Sequence, residues 1–210
     1  MLGQSISKNS FILAAFALVT AGILATTYQS TADRIAAAER KAAQAALLEI
    51  VPRSRHDNDM LDTTFPIPAQ LLGELGLKDD ADIYLAFKEA QPVAAIIPMI
   101  APDGYSGDIK LIVGVNYDGS VAGVRVLAHK ETPGLGDKVD LRKSPWILNF
   151  DGTSLHNPTA KQWAVKKDGG DFDQFTGATI TPRAVVKRVK LTLEFFNQHK
   201  ALLFPQAASE

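Results

Sequence analysis

The sequence predicts an α+β fold: one membrane-spanning helix near the N-terminus, then a single domain whose mainly antiparallel sheet is flanked by helices. Three observations predict it. An uncharged apolar run, Phe11 to Tyr28, is about as long as the roughly 20 residues a bilayer span needs. Strand-like segments follow from Asp82 to Glu131 without a regular βαβ alternation. The chain then closes on a helical pattern from Pro182 to about Phe204. Of 210 residues, those outside the span suffice for one core.

Taken in order, residues 1–8 read as a short tail and residues 9–30 as the membrane helix. A cleaved signal peptide is the competing reading, but the run is longer than the usual apolar core of a signal, which favours a retained anchor. Charge leans the other way from the topology reached below. Lys8 lies on one side of the run and Arg34, Arg40 and Lys41 on the other, so the positive-inside count favours a cytoplasmic C-terminal domain. Residues 31–52, "TADRIAAAERKAAQAALLEIVP", are rich in Ala, Glu, Arg and Leu. Ser30 or Thr31 can cap them and Pro52 follows, which predicts a helical stalk. Residues 53–82 read as a linker and the start of the soluble domain, polar and broken by two prolines up to Pro68. The main domain is expected over 83–206.

Within that domain "DIYLAFKEA" and "PVAAIIPMIA" suit strands. The clearest hairpin is "GDIKLIVGVNYDGSVAGVRVLAHKE". Ile109, Leu111, Val113 and Val115 alternate, Asp118-Gly119 supplies the turn, and Val121 to Leu127 return. "DKVDLRKSPWILNF" reads as a short helix ending in a Trp-bearing loop, and "KQWAVKK" as another short strand. In the last helix Val185, Val186, Val189, Leu193 and Phe196 form the core-facing stripe.

Composition excludes several chemistries. There is no cysteine, so disulfides, thiolate catalysis, iron–sulfur clusters and Cys-type zinc sites are out. The net charge of -1, with 22 basic and 23 acidic residues, gives no nucleic-acid footprint. His56, His129, His156 and His199 are scattered, with no HExxH, so no metal site is expected. No GxSxG, Walker or GxGxxG motif occurs.

One stretch asks for more. "DQFTGATITPRAVVKRV", Asp173 to Val189, gathers Thr176, Thr179 and Thr181 around Gly177 and Ala178 at the mouth of the last helix. Thr181-Pro182 suits an N-cap and first helical residue, which is the plain structural reading. It leaves Thr176-Gly177-Ala178-Thr179 unexplained. A helix N-terminus offers unpaired N–H groups, a glycine lets a ligand approach, and threonines can donate to a phosphate or carry one. With no His–Asp relay to make a threonine a nucleophile, a modification site fits better than a catalytic one. "HKETPGLGDKV", His129 to Val139, is on its own a Pro-Gly turn before a helix start. Its two glycines and proline about Leu135 also form a surface on which a flat ring can lie.

"DQFTGAT" resembles the Dxx(S/T)GAT flavinylation sequence, and "ETPGLG" resembles a loop of the same FMN-binding domain. With the anchor and the "GYSG" hairpin, the resemblance covers most of the chain. It points to the family of G subunits of the Rnf (Rsx) ion-translocating electron transport complex. The FMN-bearing C subunits of the sodium-pumping NADH:quinone reductase share the same anchor and domain and rank second. Pro182 departs from the small polar residue that many relatives place there. The resemblance implies FMN esterified through its phosphate to Thr179 by a separate flavin transferase, with Asp173 serving that enzyme's recognition or metal-assisted transfer. It implies a ring lined by Thr132, Leu135 and Gly136; Thr176, Thr181 and the N–H groups at the helix start are expected to receive the phosphate, with Gly177 and Ala178 also in the cofactor-binding stretch. It implies an inner-membrane, single-pass protein with a periplasmic domain, relaying electrons among the other subunits of the complex and not catalytic alone. That topology overrides the charge count. A free-standing flavin reductase and a non-redox module whose threonines only cap the helix are the competing classes. The missing dinucleotide motif counts against the first.

Overall fold

The computed structural model describes residues 2–205; residue 1 of the expected tail and residue 206 of the expected domain lie outside them. The chain divides into two units, residues 1–45 and 46–210.

The first unit holds most of a continuous helix, α1 (Leu2–Ile50). Expected tail, span and stalk are therefore one helix: the Ala-rich sequence after the apolar run prolongs it, and no proline interrupts it before Pro52. Asn9–Tyr28 is the part long and apolar enough to cross a membrane, with mean hydropathy 2.0 and exposed side chains.

The second unit is built on five antiparallel strands in sequential order: β1 (Thr64–Pro66), β2 (Asp82–Lys88), β3 (Gln91–Gly104), β4 (Gly107–Asn116) and β5 (Val121–Ala128). The α+β, mainly antiparallel fold is the one expected. Between β1 and β2 lies a single turn, α2 (Ala69–Leu72). The Asp118-Gly119 turn forms as read: Gly119 has φ +89°, and the Asp118 carboxylate accepts from the Ser120 N–H at 2.9 Å. Two parts differ from expectation. The polar linker contains β1, whose Phe65 pairs with Ile83. A three-residue edge strand ending in proline is tolerated because its outer side needs no partner. "KQWAVKK" is no strand; only Val165 bridges Phe172, and Lys166–Asp168 is a 3-10 turn. The alternation there reflects Trp163 and Val165 pointing into an aromatic cluster.

Both sheet faces are covered. Ile83, Leu85, Ile97, Leu111, Val113 and Val115 face the main core with α3 (Ile180–Leu203), whose Val185, Val186, Val189, Leu193 and Phe196 are all buried. Ala94, Ile96 and Ile112 on the other face pack with Leu47, Ile50, Val51 and Met60. Alternation along β3 and β4 thus serves two cores. The Trp-bearing segment is a 3-10 helix, Pro145–Phe150, capped by the Ser144 hydroxyl.

Candidate flavin site

The first wall of the site is the loop after β5. The Thr132 carbonyl accepts from the N–H groups of Leu135, Gly136 and Asp137 at 3.1, 3.1 and 3.4 Å. The loop is thereby coiled tightly and opens into a 3-10 turn, Gly136–Val139. Leu135 is left 41% exposed while Gly136 is buried. A Cβ on Gly136 would lie 2.7 Å from both Glu131 Oε2 and Thr181 Oγ1, so the room this glycine makes is taken by those two side chains. Further along, Asp140 accepts a bidentate grip from Arg142, whose hydrogen bond holds the Asp140 carboxyl below the usual range.

The second wall is the "DQFTGAT" loop, and an aromatic shelf sets its place. Trp146 meets Phe175 edge-on at 5.0 Å and Phe150 at 5.4 Å between centroids, and its Nε1–H donates to the Asp173 carbonyl at 2.7 Å. Phe175 is buried, so the residues after it turn outward. Ala178 N–H returns to the Phe175 carbonyl at 3.1 Å, with Gly177 at φ +79° in the third position, the left-handed geometry of a type II turn. Gly177 also faces Leu135, whose Cδ2 would stand 3.5 Å from a Cβ there. The Asp173 carboxylate points elsewhere, 2.7 Å from Lys166 Nζ, in a separate polar cleft with Asp151, Asn157 and Asp171.

Then α3 begins, two residues earlier than the Thr-Pro signal suggests. Its N-cap is Thr179, with no side-chain cap bond, and Pro182 sits in the first turn, where a missing N–H costs nothing. Thr181 is therefore not the cap. Its side chain is fully buried and its hydroxyl donates to Glu131 Oε2. Glu131 Oε1 accepts from Ser106 N–H at 2.9 Å. One carboxylate, 4% exposed, joins the β3–β4 turn, the loop after β5 and the start of α3.

These walls enclose a cavity of about 320 Å³ lined by Tyr105, Glu131, Thr132, Leu135, Gly136, Gly177, Ala178, Thr179, Ile180 and Thr181. Seven of the eight residues singled out from sequence meet there: Thr132, Leu135, Gly136, Gly177, Ala178, Thr179 and Thr181. Thr176 is exposed and outside the lining. Sequence reasoning missed Tyr105, Ile180 and Glu131. Tyr105 and Ile180, 68% and 45% exposed, add apolar surface at the rim beside Leu135. The signal for Glu131 was in view: a lone carboxylate in a turn otherwise made of Thr, Pro, Gly and Leu. Exposed apolar side chains for a ring, beside a helix start for a phosphate, are what a flavin nucleotide requires.

Comparison with known proteins decides the family. Residues 104–194 match the FMN-binding domain family, and residues 1–50 match the RnfG N-terminal region. The Shewanella oneidensis protein named as the G subunit of the ion-translocating oxidoreductase complex is 50% identical over 199 residues, covering 95% of this chain and 93% of its own. The Vibrio cholerae protein of that name is 49% identical over 202 residues, 96% and 95% of the two chains. That of Pseudomonas aeruginosa is 50% identical over 207 residues, 98% and 96%. The chain belongs to the RnfG family. All the cavity-lining residues fall inside the FMN-binding match, which supports FMN as the ligand. The apolar Asn9–Tyr28 helix supports membrane association.

Proposed function

We propose that this chain is the electron-carrying subunit of a membrane-bound ion-translocating oxidoreductase complex, with FMN joined to Thr179 as a phosphoester. The observation that carries the attachment point is the different standing of the three threonines. Thr181 is buried with its hydroxyl given to Glu131, and Thr176 lies outside the cavity. Thr179 is half-buried in the cavity wall and makes no side-chain cap bond, so its hydroxyl is the one available to a phosphate. The leading N–H groups of α3 lack intrahelical acceptors and face the phosphate's charge with the positive end of the helix dipole. Leu135, Tyr105 and Ile180 cover the ring. Bound FMN supplies one- and two-electron chemistry; the protein supplies position and tuning. A covalent link keeps the cofactor from washing out. The membrane helix keeps it near partner subunits at high effective concentration.

The names of the relatives support the complex and its ion coupling. A separate flavin transferase makes the ester, and the domain faces the periplasm from the inner membrane. A C-terminal reporter that needs export should be active, against the Lys/Arg count. The decisive experiment co-expresses the full chain with a flavin transferase and images a denaturing gel under ultraviolet light, since only a covalent flavin survives unfolding. Wild type fluoresces, and Thr179→Val, which keeps shape but loses the hydroxyl, is dark. A fluorescent Thr179→Val band overturns the attachment point. A dark wild-type band overturns covalent FMN.

A further inference from the structure

We infer that Glu131 sets the reduction potential of this site: its carboxylate is a fixed negative charge, built into the cavity wall, against which a flavin must be reduced. The inference rests on the reading of the cavity as the FMN site. Glu131 lines the same cavity as Thr179, and among the described residues no other Asp or Glu and no Lys or Arg does. It is 4% exposed, so solvent screens it little. Each oxygen accepts one hydrogen bond, Oε1 from Ser106 N–H and Oε2 from the Thr181 hydroxyl, which is how a carboxylate binds. Both donors are neutral. His129 meets only the Glu131 backbone, accepting from its N–H through Nδ1 at 3.1 Å. Among the described residues no ion pair to Lys or Arg offsets the Glu131 carboxylate.

A purely structural tie would not need a charge. Glutamine could accept from Ser106 and exchange a hydrogen bond with Thr181 at the same length, without the cost of burying an ion. What the carboxylate adds is electrostatic. Each electron taken up by the ring brings one negative charge unless a proton accompanies it. A nearby anion in a poorly screened site raises the energy of that reduced form relative to the oxidised one. The midpoint is therefore more negative with Glu131 than without its charge. Three elements converge on this carboxylate, so its position beside Thr179 is fixed rather than averaged over rotamers.

The test uses the full chain, loaded by co-expression with a flavin transferase and purified in detergent. Covalent loading is read on a denaturing gel, and the midpoint by spectroelectrochemical titration. Glu131→Gln should carry the fluorescent band and titrate at a more positive midpoint than wild type, with the shift persisting in high salt. Thr181→Val loosens the same tie but keeps the charge, so its midpoint should stay or move negative. A loaded Glu131→Gln with an unchanged or more negative midpoint overturns the inference while leaving the FMN reading intact. So does a shift that disappears in high salt. A positive shift in Thr181→Val also overturns it, showing that loosening alone is enough; that arm decides even if Glu131→Gln fails to fold. A wild-type chain with no flavin band overturns the FMN reading and this inference with it.

Discussion

The two ends of α3, about 35 Å apart for 24 residues at 1.5 Å each, both border cavities, and the cavities have little in common. At the C-terminal end Phe65, Leu85, Phe87, Pro92, Leu202 and Phe204 are among the residues enclosing about 560 Å³. At the N-terminal end the space is about 320 Å³, lined by three threonines, a glycine turn and a buried carboxylate. Size alone would select the C-terminal end; the chemistry of the lining favours the other. The larger groove offers only Thr63 and Gln91 as polar side chains, and one of its rings, Phe204, is engaged edge-on with Phe87 of the same lining and with Tyr117 and Phe196 behind it, at 5.7, 5.5 and 6.4 Å. The smaller cavity has convergent hydroxyls and a helix start aimed into it. Chemistry sits where polar groups converge on apolar surface, not where the most space is left.

The strongest test of that contrast removes one aromatic at each end. Trp146 and Phe204 are both buried, 6% and 3% exposed. Either change to Ala should cost about 3–5 kcal/mol of stability, measured by urea unfolding of the chain. The flavin readout should separate them. Trp146 supports Phe175 and holds the Asp173 carbonyl, so Trp146→Ala should also lower covalent flavin per folded molecule. Phe204→Ala should leave it at the wild-type level. Equal loss from both would mean that the two ends are not independent.

A smaller perturbation sharpens the same contrast inside the site. Gly136→Ala adds one methyl group that meets Glu131 Oε2 and Thr181 Oγ1 at 2.7 Å. The carboxylate and hydroxyl must move apart, at an expected cost of about 1–3 kcal/mol. Urea midpoints would read the cost. The flavin absorbance should shift as well, because the displaced groups line the cavity. An Ala variant as stable as wild type would show that the Glu131–Thr181 contact is not tightly packed.

Which features the sequence disclosed follows from the range of the interactions that make them. The β4–β5 hairpin was legible because Asp118-Gly119 is a local signal acting on its own backbone. The neighbouring β2–β3 turn was not, since it is built from Glu89 and Ala90, both at positive φ of 52° and 65°, where Asn or Gly is the usual choice. The α3 core stripe was legible through its period. The start of α3 was misplaced because Thr-Pro is a local cap signal, whereas the Thr181 hydroxyl is claimed by a residue 50 positions away. That most of the residues named for the candidate site line one cavity could be anticipated because its two loops are short contiguous motifs. Glu131 stood out in its turn as a lone carboxylate, but its partners, Ser106 and Thr181, lie far off in the chain and only the fold supplies them.

The smallest effect concerns the outer support of the α3 start. Arg183 reaches back to Asp168 with both Nε and Nη2, pinning the 3-10 turn Lys166–Asp168 to the first turn of the helix. This hydrogen bond holds the Asp168 carboxyl below its ordinary range. A carboxyl whose folded-state value is depressed stabilises the fold above its unfolded value, about 3.9 for aspartate, and loses that contribution as pH falls through the folded value. The pair is solvent-exposed and screened, so Asp168→Asn should lower the urea midpoint only slightly at neutral pH. The difference from wild type should then narrow as the pH is lowered from about 5 to about 3, because protonating Asp168 removes the same charge that the substitution removes. Fluorescence of the covalent flavin should be unchanged, since neither Asp168 nor Arg183 lines the cavity. A difference that widens in acid would mean that Asp168 is not held by Arg183 in this way.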